Sequence, residues 1–94
     1  MRLLTSSNKD DIISGAYSAG ESRSQDYVPL LLRNAADPRR STNLRYYGIT
    51  VYQAKMIALK KIFDKNPPNK IAPTPDSGVI LFYIHLFDSV RVRP

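Results

Sequence analysis

Thr50 to Lys65, TVYQAKMIALKKIFDK, constrains this chain most, because a start signal, an interior period and a stop signal agree there on one element. Thr50 followed three residues later by Gln53 has the form of a capping box: the threonine hydroxyl accepts from the Gln53 backbone N–H, and the glutamine side chain reaches back. At about 100° per residue, Val51, Tyr52, Met56, Ala58, Leu59, Ile62 and Phe63 share one broad face, and Gln53, Lys60, Lys61, Asp64 and Lys65 lie away from it. Lys55 projects from the apolar face, where its stem can lie along apolar neighbours with the ammonium reaching water. Ile57 is an apolar residue on the polar side. Lys60, Lys61 and Lys65 suit the negative end of a helix, and Pro67-Pro68 cannot continue it. A helix of about four turns over 50–65 follows.

Two apolar runs flank this helix and read as strands. Leu44 to Ile49, LRYYGI, alternates Leu44 and Tyr46 against Arg45 and Tyr47. Val79 to Phe87, VILFYIHLF, places Ile80, Phe82, Ile84 and Leu86 on one apolar face and a mixed set on the other, which predicts a strand covered on both sides. Val90 to Arg93 alternates as a short exposed strand whose arginines blunt an edge. Tyr27 to Arg33, YVPLLLR, is an edge strand or a short helix, since Pro29 suits either; the extended reading is preferred.

Between these runs, Asn34 to Asn43 is rich in turn formers, and Asn66 to Ser77 carries prolines at 67, 68, 73 and 75, a stiff strap that another protein could grip. Residues 1–26 hold many serines and few large apolar groups and read as an extended N-terminal arm, with a short helix from Asp10 to Ala19 as the alternative, Asp10 capping it and Gly20 stopping it. The expected architecture is α+β: residues 27–94 as one small two-layer domain, a sheet of three or four strands carrying the helix 50–65.

Ninety-four residues make one domain with a modest core. Without cysteine there are no disulfides, thiolate metal sites or thiol nucleophiles. The run 79–87 is less than half of a membrane span of about 20 residues, and the leading residues form no signal-peptide core. A soluble protein, intracellular or within a large assembly, is expected.

The net charge of +6 is unevenly placed. Residues 39–70 hold Arg39, Arg40, Arg45, Lys55, Lys60, Lys61, Lys65 and Lys70 against Asp64 alone, whereas residues 1–38 are slightly acidic and 71–94 are balanced. Such asymmetry argues for an anionic partner surface; the competing interpretation is that the helix lysines are a solvated face.

Signatures of catalysis are missing. His85, the single histidine, falls in the expected strand core with only Asp88 near it in sequence, and the glycines at 15, 20, 48 and 78 match neither a phosphate loop nor a dinucleotide fingerprint. No enzymatic activity, cofactor, metal or small-molecule substrate is expected. The best candidate site is Arg39, Arg40, Arg45, Tyr46 and Tyr47, followed by Tyr52 and joined by Lys60, Lys61 and Lys65: arginine forks suit phosphate or carboxylate, and tyrosines offer stacking faces. The function expected is a structural or assembly subunit docking its basic side onto an acidic protein; the alternative is a small nucleic-acid-binding module. Membrane insertion is not expected.

Overall fold

The structure, a computed structural model, describes residues 3–42 and 48–91. Among them all regular structure is helical: α1 (Lys9–Ser22), α2 (Val28–Leu32), α3 (Val51–Phe63) and α4 (Ser77–Arg91), with single 3-10 turns at Leu3–Thr5 and Gln25–Tyr27. One isolated antiparallel bridge, Arg40 to Thr50, is the only β pairing among the described residues. The protein is a small all-α domain, and the α+β expectation is overturned.

α3 forms as its local signals require. The Gln53 N–H donates to Thr50 Oγ1 at 3.1 Å and the Thr50 N–H to Gln53 Oε1 at 3.3 Å, closing the capping box. The two remaining orphan donors of the first turn are met by the incoming loop: Val51 N–H reaches the Arg39 carbonyl and Tyr52 N–H the Asp37 carbonyl, both at 2.9 Å. The start of α3 is thus also what holds residues 37–41 in place. Asp64 in the left-handed conformation (φ 54°) ends the helix. Val51, Tyr52, Met56, Ala58 and Leu59 are buried, with Ile62 and Phe63 packed at the margin of the core.

The N-terminal segment, read as an arm with a short helix over Asp10 to Ala19 as the alternative, contains a core helix, α1. Asn8, not Asp10, caps α1, its Oδ1 accepting from the N–H groups of Asp10 and Asp11 at 2.9 and 3.2 Å. Ile12, Ile13, Ala16 and Ala19 are buried where α1 lies along α3. The contact is close because small residues make it: a Cβ on Gly20 would stand 3.0 Å from the Ala58 Cα. Few bulky side chains are needed for such packing, so counting them underestimates the helix.

Tyr27 to Arg33 is corrected from strand to helix: Pro29 sits in the first turn of α2, where its missing N–H is harmless, and Val28 and Leu31 are buried. The 79–87 strand is corrected to the body of α4. Asp76 caps it, Oδ1 accepting from the N–H groups of Gly78 at 2.8 Å and Val79 at 3.4 Å. Val79 and Tyr83, four apart, are fully buried, and Leu86 and Phe87 continue their stripe, while Leu81 and His85 face outward. In a run so uniformly apolar the two-residue and 3.6-residue periods both find matches, and alternation carries no information. The Tyr83 ring stacks on Phe63 (centroids 6.2 Å) and meets Phe82 edge-on (5.0 Å). Of the remaining strand expectations, residues 44–47 and 92–93 lie outside the described residues, and α4 runs through Arg91. The proline-rich connection has no regular structure; Pro73 accepts from Thr50 Oγ1 at 3.0 Å, which ties it to the start of α3.

Candidate functional site

Among the described residues, the candidate-site cations separate into two clusters at opposite ends of α3. At the N-terminal end, Arg39 donates from Nε to both Asp37 carboxylate oxygens at 3.0 Å and from Nη2 to Oδ2 at 2.7 Å. Its Nη1 reaches the Ser7 carbonyl at 2.9 Å, clamping the N-terminal segment to the loop. Arg39 therefore holds the Asp37 carboxyl below its usual range. Arg40 spends one nitrogen on the Gly48 carbonyl at 3.1 Å. Arg45, Tyr46 and Tyr47 lie outside the described residues. Tyr52 is fully buried, so it offers no stacking face.

Lys60, Lys61 and Lys65 occupy the other end, about 13 Å along the axis from the start of α3 at 1.5 Å per residue. Lys61 is committed: its Nζ bridges to Glu21 Oε1 at 2.6 Å and lies 5.1 Å from the centroid of the Tyr17 ring. That bridge and its charge draw the Glu21 carboxyl down from its ordinary value. Lys60 and Lys65 are exposed and have no acidic partner among the described residues. Two shallow depressions meet here and share Ile57, Lys60 and Asn66. One, of about 260 Å³, adds Arg23, Lys61, Asp64 and Lys65. The other, of about 440 Å³, is walled by Pro67, Pro68, Lys70 and Ile71. Ile57, the apolar residue on the polar side of the helix, is thus the common floor of a basic groove. Arg23 escapes a reading by sequence because it belongs to the slightly acidic first third; only the packing of α1 on α3 delivers it.

Lys55 departs furthest from expectation. Its side chain does not extend to the surface: the residue is 3% exposed, and Nζ donates to the Arg33 carbonyl at 2.7 Å. Burial lowers its pKa, with Asp37 opposing and Arg39 and Arg33 adding to the fall. It lines a partly open cavity of about 290 Å³ bordered by the N-terminal turn, α2 and the α2–α3 loop. His85, expected in a strand core, is exposed on α4.

Among the described residues, no three His, Asp or Glu side chains gather as metal ligands, and no helix is long and apolar enough to cross a membrane. Compared with protein-family models, with curated proteins and with solved structures, the chain matches none.

Proposed function

We propose that this protein is a non-enzymatic assembly subunit that binds an acidic segment of a partner protein in the basic groove at the C-terminal end of α3. One observation carries the reading: the groove combines an apolar floor, Ile57, with Arg23, Lys60, Lys61, Lys65 and Lys70 against the single acid Asp64. Lysines placed only for solubility need no concavity and no apolar floor. A peptide with acidic residues on either side of one apolar side chain matches this pattern, its charges steering the encounter and its apolar group supplying the desolvated centre. Arg39 and Arg40, bonded within the fold, play a secondary part.

Fluorescence anisotropy with a labelled peptide of glutamates around a central leucine tests the reading. Binding is expected to weaken moderately between about 50 and about 200 mM salt. The double variant Lys60→Glu, Lys65→Glu should lose roughly tenfold or more in affinity, with melting nearly unchanged. Single-stranded RNA of two lengths is the counter-test. Tighter binding to the longer RNA, with a log–log salt slope near −0.7 per phosphate contacted, would replace the acidic protein by nucleic acid as the ligand.

A further inference from the structure

The cavity beside Lys55 is separate from the groove, at the other end of α3. We propose that it is a binding site for a small monocarboxylate bearing a short alkyl chain. A charged side chain is normally buried with a counter-charge and its hydrogen bonds filled. Lys55 has both only in part: its one hydrogen bond goes to a neutral carbonyl, and its counter-charge, the nearby Asp37 carboxylate, is shared with Arg39, which engages it through three contacts. An ammonium carries three donors and a guanidinium five. Lys55 thus retains two, and Arg39, which uses Nε, one Nη1 hydrogen and one Nη2 hydrogen, retains two more. Arg33, Arg39 and Lys55 line the cavity against Asp37 alone, so it carries an excess of positive charge, part of which a single carboxylate would offset.

The apolar part of the lining selects the rest of the ligand. Leu4, Ile12 and Leu30 supply it, and Leu4 and Ile12 belong to the buried core. A volume of about 290 Å³ lies at the small end of ligand sites. A carboxylate at Lys55 with a few methylenes against the leucines fills both halves, whereas inorganic phosphate leaves the apolar half unused. The ligand's two oxygens would accept from Lys55 and Arg39, leaving the Asp37–Arg39 clamp on Ser7 intact.

Sodium butyrate titrated into the full-length 15N-labelled protein, against sodium chloride at matched ionic strength, tests this by amide chemical shifts. Saturable shifts are expected at Ser6, Ser7 and Asn34. Butyrate should bind roughly tenfold tighter than acetate, for two further methylenes buried, and tighter than phosphate. Lys55→Met should weaken butyrate at least tenfold, while Lys60→Met, in the groove, should leave it unchanged. Should Lys55→Met fail to fold, Leu30→Phe narrows the cavity without altering its charges and should also weaken butyrate. Shifts that never saturate, that survive both cavity variants, that centre on Lys60 and Lys65, or that are matched by phosphate would overturn the proposal. Because the groove is read with a peptide and Lys60 variants, failure of one site leaves the other standing.

Discussion

Two buried tyrosines show how differently one residue type can be satisfied. Tyr83 donates its hydroxyl to the Lys65 carbonyl at 2.9 Å, and burial pushes its pKa up to about 12. The Tyr52 hydroxyl is buried without a well-formed hydrogen bond, although the Asp76 backbone lies beside it. Tyr83→Phe should therefore destabilise by about 1 kcal/mol, whereas Tyr52→Phe should be neutral or slightly stabilising, because it removes an unpaired polar atom. Urea unfolding at neutral pH separates the two, and equal losses would refute the distinction. The folded-state pKa of Tyr83 lies above its unfolded value. Its contribution is therefore complete below about pH 10 and fades as pH rises toward 12, a loss that Tyr83→Phe should reduce.

At the scale of elements, legibility followed the agreement of independent signals. α3 was readable because cap, period and stop coincide; α4 was not, because its apolar run satisfies any period, and the capping role of Asp76 shows only once the turn before it is folded. α1 was legible only as a short alternative over Asp10 to Ala19, for the opposite reason, its buried face being built largely from Ala16, Ala19, Gly15 and Gly20. The closeness of the α1–α3 contact is testable at Gly20. An added methyl meets the Ala58 Cα at 3.0 Å and its Cβ at 3.3 Å, so backbone must move. Gly20→Ala gains up to about 1 kcal/mol of helix propensity but should lose about 1–3 kcal/mol to overpacking. Net destabilisation by thermal melting is expected, and a more stable variant would mean that the helices separate freely.

Across the whole molecule, charge does structural work before any partner arrives. Asp10 accepts from Ser41 at 2.6 Å and Thr42 at 3.2 Å, joining α1 to the loop before α3, and Asp37 with Arg39 joins that loop to Ser7. Both carboxyls are held below their ordinary values, Asp10 chiefly by the Ser41 hydroxyl and Asp37 chiefly by Arg39. A depressed folded pKa gives stability that is complete above the unfolded value, near 3.8, and is lost as pH falls through the folded one. Asp10→Ala and Asp37→Ala should thus melt lower than the parent at pH 7, and the difference should shrink as the solution is acidified below about pH 4. A gap constant with pH would assign their effect to packing instead. The clamps also divide the described cations: Arg39 and Lys61 each have an acidic partner, and Lys60 and Lys65 lie at the far end of α3 from Arg39 and Arg40.

The amino-acid sequence alone determined the start, length and inward face of α3, the absence of cysteine chemistry and the concentration of cations between residues 39 and 70, because these rest on composition and on neighbours within one turn. Tertiary structure decided that the other apolar runs within the described residues are helices, that the small-residue face of α1 is core, that Lys55 is buried and that Ile57 floors a basic groove. Each of those outcomes depends on which surfaces meet across more than twenty residues of chain, and neither the period of a uniformly apolar run nor the sign of a charge specifies the element that will lie against it.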